Sequence, residues 1–220
     1  MRVLAILAAA GAAAAGAVDY EAAPAPRGGE IDFPPGAEDG VVELSWDSGT
    51  RSYQICYYSG AGTWFSNDFD LSQIRDYRRV TRIKAYVDPR WPNGRWDGFR
   101  IGLFAYTGSV PGTLLWGPKY VKPNLASAGW ASFVVAWTLP AAQRRFLAGV
   151  EQLYNYPNCD SHNVDNNRTF LQHSWLYYGG NWGPYSNSTG YYNLMIRVRV
   201  SNDYVSLAPT SLGRVKALYY

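Results

Sequence analysis

The sequence predicts an all-β protein: an antiparallel two-sheet β-sandwich, jelly-roll-like, of about ten strands. Three observations lead there. Aromatic residues make up 16% of the 220 residues, while charged residues reach only 17%, below the ~25% of ordinary soluble domains. Gly and Pro number 22 and 13, enough turn formers to separate many short segments. From Gly40 onward, apolar and polar residues alternate with period 2, and no segment holds a convincing helical period. Helical bundles, coiled coils and disordered chains need more charge and fewer aromatics, so the composition argues against all three. A formal charge of only +3 does not suggest a nucleic-acid partner, which usually shows a clustered basic face.

Two segments precede the strands. Residues 1–17 read as a secretory signal peptide. Arg2 supplies the positive end, Val3 to Ala15 is an Ala-dominated apolar run, and Ala15-Gly16-Ala17 fits the small-x-small cleavage rule. The mature chain would then start at Val18, and the protein would be secreted or held at the cell surface. The bland alternative is a buried Ala-rich helix. The run is too short for a comfortable transmembrane span, and no later stretch approaches the ~18 apolar residues a crossing needs. Residues 18–40, rich in Pro, Ala, Gly and acid, read as a disordered or extended linker.

The sandwich domain is expected over residues 41–202. Val42, Leu44 and Trp46 alternate with Glu43 and Ser45, and Asp47-Ser48-Gly49 turns the chain. Further strands are predicted at 52–58, 63–69, 80–87, 99–106, 114–121, 130–139, 146–153, 170–178 and 193–200. Leu71 to Arg78 reads as one short turn of helix. There is no internal repeat, which argues against a solenoid or propeller. Residues 203–220 form a C-terminal tail.

Five stretches occur in order: ELSWDSG at 43–49, PGTLLWG at 111–117, GVEQ at 149–152, SWLYYGGNW at 174–182 and NLMIR at 193–197. Together they resemble a β-sandwich module of secreted and cell-surface proteins from uncultured bacterial lineages. The resemblance spans roughly residues 41–200. Its motifs are strand and turn signatures, so it implies a fold and an address and brings no catalytic residues. The segment 208–220 resembles short C-terminal tails of exported proteins. It reads as a sorting tag, a docking strand or a disordered end.

Few residues offer chemistry. Cys56 and Cys159 are the two cysteines. In an exported protein an even, minimal count favours one disulfide, here between the second strand and the long loop after the eighth. Two buried free thiols are the rival reading. The spacing suits no zinc site. Asp160-Ser161-His162 holds triad residue types, but a triad is assembled in space, and no G-x-S-x-G elbow is present. His162 is expected in a loop and His173 within a strand, hydrogen-bonded on a sheet face. Glu151 reads as a partly buried carboxylate paired with an arginine, rather than one of the two carboxylates of a glycosidase. The Asx-rich stretch 155–167 could hold calcium, although Asx side chains also cap turns. Asn167 and Asn187 begin glycosylation sequons. Arg75, Arg78, Arg79 and Arg82 form a basic patch, read as a solvated loop or as a contact with anionic surface polymer.

Loop aromatics are the most suggestive feature. Trp91 and Trp96 lie in DPRWPNGRWDG, Tyr154 and Tyr156 open the long loop, and Trp182 and Tyr185 sit in GGNWGPY. They could stack sugar rings, anchor a protein partner, or fold back over the sandwich ends. The expected function is a non-catalytic exported sandwich with a structural or adhesive role at the cell surface, its partner a surface glycan or another surface protein. A carbohydrate-binding module using these aromatics is the alternative. No cofactor is expected beyond that calcium reading.

Overall fold

A computed structural model describes residues 4–6, 17–21, 40–72, 74, 76–88, 91–107, 110–166, 172–185 and 192–202. Most of the leader and linker, the whole tail, both sequons and Arg75 lie outside these residues. Among the described residues there is no helix, and every strand pairing is antiparallel.

Two short strands come first, β1 (Leu4–Ile6) and β2 (Ala17–Glu21). Then follow β3 (Val41–Leu44), β4 (Tyr53–Tyr57), β5 (Thr63–Asp70), β6 (Tyr77–Val87), β7 (Phe99–Thr107), β8 (Val110–Val121) and β9 (Gly129–Thr138). The chain continues through β10 (Arg145–Gln152), β11 (His162–Asp165), β12 (Ser174–Tyr178), β13 (Asn181–Pro184), β14 (Asn193–Leu194) and β15 (Ile196–Asn202).

A six-stranded sheet, β13-β12-β5-β10-β7-β8, faces a four-stranded one, β3-β15-β6-β9. Alternation decides the core. Phe65 and Phe69 of β5, Phe146 and Val150 of β10, and Ile101 and Leu103 of β7 point one way. They meet Val80 and Ile83 of β6 and Val198 and Val200 of β15 in one buried cluster. Each such side chain contributes about 1.5–3 kcal/mol of burial.

A third sheet, β1-β2-β4-β11-β14, was not anticipated. Its last strand, β14, arises where the predicted last strand breaks at Met195. The Met195 amide donates to the Asn163 carbonyl of β11 (2.9 Å), while its carbonyl accepts from the Tyr86 amide of β6 (3.1 Å). One residue thus passes the chain from one partner strand to another. The facing sheet stabilises the break. Buried Asn67 donates through Nδ2 to the Leu194 and Ile196 carbonyls (2.8 and 2.9 Å) and accepts from the Ser174 hydroxyl (2.8 Å).

Three expectations need correction. The described residues between 71 and 78 form no helix: the amides of Ile74 and Tyr77 donate to the carbonyls of Leu71 and Ile74, and pairing then draws Tyr77 onward into β6. Arg78, Arg79 and Arg82 consequently lie on a strand and not in a loop. His162 is not a loop residue either; it begins β11, paired with Ile55.

Candidate functional site: an aromatic trough on the curled sheet

The six-stranded sheet carries large side chains on both faces. In β5, Phe65 enters the core, and Trp64 therefore points outward; in β7, Ile101 and Leu103 go in while Arg100 and Phe104 go out. Register then lines up one row across all six strands: Trp182, Tyr177, Trp64, Glu151, Arg100 and Tyr120. The next row contains Ser66, Gly149 and Gly102. Two neighbouring glycines leave that row without bulk, and the Trp64 indole fills part of the space. A Cβ on Gly102 would stand 3.0 Å from that indole, and one on Gly149 would stand 2.1 Å from the Ser66 hydroxyl oxygen.

The sheet curls outward. β13 and β7 are four strand positions apart, which is ~19 Å in a flat sheet. Yet the rings of Trp182 and Phe104 meet edge to face at 5.1 Å. Phe104 meets Trp64 in the same way at 4.8 Å, and Trp182 also touches Tyr177 at 5.2 Å. The result is an open trough of about 330 Å³, walled by these four aromatics on one side and by Leu114 and Pro118 of β8 on the other. That volume is at the low end of small-ligand sites.

Glu151 and Arg100 are its polar pair. Arg100 Nη2 donates to Glu151 Oε1 at 2.5 Å. The carboxylate is only 4% exposed, and its Oε2, like Arg100 Nε, has no partner among the described residues. Burial pushes the Glu151 carboxyl above its usual range, and Arg100 offsets this only in part. The trough floor therefore sets a half-exposed guanidinium beside an enclosed carboxylate, beneath apolar walls. This combination suits a ligand with one apolar face and adjacent hydroxyls.

At the other end of the sheet Asp68 gathers several donors, although Arg145 Nε there has no hydrogen-bond partner among the described residues. Buried Asp68 holds His173 Nδ1 (2.5 Å), Arg145 (3.3 Å) and the Trp175 indole (3.3 Å), and His173 stacks on Trp46 at 3.7 Å.

The aromatics singled out from sequence separate into three groups. Trp182 walls the trough. Tyr185 is 3% exposed and joins the core, while Trp96 packs against the core and donates to the Leu125 carbonyl (3.1 Å). Trp91 and Tyr156 meet each other (6.0 Å), and Tyr156 meets Tyr58 (4.9 Å), where Asn93 donates to the Pro157 carbonyl and ties the two loops. Tyr154, in the same long loop, is 50% exposed. Trp64, Tyr177, Phe104 and Arg100 were missed. A signal for them exists: a strand apolar at successive positions, such as Trp64-Phe65, is covered on both faces.

The remaining candidates are accounted for locally. Cys56 and Cys159 are both buried. His162 stacks on Phe65 at 4.1 Å, and burial pushes its pKa down to about 3. Asp160 accepts from the amides of Asp97 (2.9 Å) and Gly98 (2.7 Å), so its carboxylate holds a turn and does not orient His162. In the long loop Asn155 accepts from the Ala61 amide, Asn158 from Arg95 and Asp165 from the Ser48 amide. Each serves a different segment. Among the described residues no group of three or more His, Cys, Asp or Glu could hold a metal ion. No helix among them is long and apolar enough to cross a membrane.

Compared with family models, curated proteins and solved structures, the chain matches none.

Proposed function

We propose that this chain is an exported, non-catalytic β-sandwich that binds a glycan in the aromatic trough and so serves an adhesive or structural role at a cell surface. The observation that carries the reading is the row Trp182-Tyr177-Trp64-Glu151-Arg100. Aromatic faces stack on the apolar face of a pyranose, while the half-exposed Arg100 guanidinium, held in place by Glu151, donates to its hydroxyls. Glu151 is the one carboxylate among the described residues lining the trough. Glycoside hydrolysis ordinarily uses two, ~5–9.5 Å apart, so binding is favoured over cleavage. The signal-peptide pattern and the resemblance to surface modules support the address.

The Trp91, Tyr156 and Tyr58 group favours a second reading, in which loop aromatics contact the glycan or another surface protein. A glycan array followed by titration calorimetry separates the two. Trp182→Ala is expected to abolish binding and Trp91→Ala to leave it intact. Undiminished binding by Trp182→Ala refutes the trough.

A further inference from the structure

The opposite face of the molecule carries a feature that the trough does not explain. On β6 the outward residues are Arg79, Arg82 and Lys84, and on β15 they are Arg197 and Arg199. Register sets Arg199 directly opposite Arg82, and Arg197 directly opposite Lys84. Like charges directly opposite across strands are destabilising, and here two such pairs stand in adjacent rows.

The anions among the described residues do not balance them. Glu43 alone serves three cations: Lys84 (2.9 Å), Arg197 (3.3 Å) and Arg199 (3.2 Å). Asp47, the other carboxylate beside this face, is held by Arg197. Arg82 reaches only the Ser132 hydroxyl, at 3.5 Å, and Arg79 is exposed. Neither has an ion pair among the described residues. Trp130 lies beneath Arg197 at 4.1 Å and near Lys84 at 5.6 Å. It supports the cations from below and adds an apolar surface beside them.

We propose that this face binds an acidic polysaccharide of the polyuronate class. Arg79, Arg82 and Lys84 span about 17 Å along one strand, with Arg199 beside them. A polymer with a carboxylate on each sugar presents charge at intervals along a line, as this ladder does. The surrounding positions, Ser132, Thr138 and Ser201, are short hydroxyl residues that hydrogen-bond sugar. Among the described residues this surface is sheet, with no helix to enter a groove, which disfavours duplex DNA. This site is independent of the trough.

The test uses the full chain, immobilised, with polygalacturonate as probe and neutral dextran and random duplex DNA as comparisons. Wild type should bind polygalacturonate at ~20 mM salt and release it at ~0.5 M, where screening is nearly complete. Arg79→Gln with Arg82→Gln should weaken binding at least about tenfold, whereas the Lys/Lys double variant should stay near wild type. Trp182→Ala should bind as wild type does. Four results overturn the proposal: no binding at low salt, equal binding by the Gln double variant, loss of binding in Trp182→Ala, or tighter binding to duplex DNA. Circular dichroism of each variant confirms the fold, since neither arginine holds a buried contact.

Discussion

Replacing Glu151 by Gln separates the two roles its carboxylate plays. Glu151 is 4% exposed, and burial outweighs Arg100 in setting its pKa, which is raised. A raised carboxyl pKa means that the folded protein holds the proton more tightly than the unfolded chain. Stability from this group is therefore present below the ordinary pKa of 4.5 and is lost as pH rises through the folded value. Each unit of elevation corresponds to about 1.4 kcal/mol. Gln removes the buried charge and keeps a neutral acceptor for Arg100 Nη2. The Arg100 side chain is 42% exposed, so water compensates the guanidinium, and its half-exposed ion pair is worth at most about 1 kcal/mol. Glu151→Gln should therefore be as stable as wild type at pH 7, or up to about 1 kcal/mol more so. The two proteins should converge at pH 4 in urea denaturation. Ligand binding should behave differently: losing the carboxylate that orients the Arg100 guanidinium at the trough floor should weaken affinity roughly tenfold. A variant destabilised by more than about 2 kcal/mol at pH 7 would show that the ion pair is a structural strut, and unchanged affinity would show that Glu151 does not position Arg100 for the ligand. Either result refutes the reasoning.

Four other expectations follow from the structure. His162, with its pKa depressed to about 3, contributes stability above its ordinary 6.5 that is lost as pH falls below it, at about 1.4 kcal/mol per unit; its ring should show no protonation by NMR down to pH 5, and a titration near 6.5 would contradict the buried placement. Asn67→Ala strips donors from the Leu194 and Ile196 carbonyls and should cost about 3 kcal/mol in urea unfolding; a loss under ~1 kcal/mol would mean the break at Met195 is supported by other contacts. Arg51 and Asp88 form a fully buried ion pair, so Arg51→Met should destabilise by about 3–5 kcal/mol, and adding Asp88→Leu should recover most of it. Mass spectrometry of exported protein should find Val18 at the N-terminus, whereas retained Met1 would end the signal-peptide reading.

Alternation alone made most of the architecture legible. Every one of the ten predicted strands has a counterpart, because a strand half-buried in a sandwich must repeat every two residues and its turns need Gly, Pro or Asx. Pairing of Glu151 with an arginine was also legible, since a carboxylate flanked by Val150 and Leu153 needs a counter-charge. The same rule of two would have placed Trp182 and Tyr185, three residues apart in an extended segment, on opposite faces. It sends one to the trough and the other to the core.

What alternation cannot carry is which strand lies beside which. β11 has four residues and β14 two, too short to show a period; β11 is a strand through its pairing with β4, and β14 joins it where Met195 changes partners between β11 and β6. The trough depends on the same kind of information. Trp64, Arg100, Glu151 and Tyr177 come from four separate strands, and only register sets them in one row. Curl then brings Trp182 onto Phe104. Sequence by itself determined that each strand has an inner and an outer face, because that depends on neighbours along the chain. Tertiary structure alone decided what the outer faces build together, because hydrogen-bond register and sheet curvature are relations between segments that the chain holds far apart.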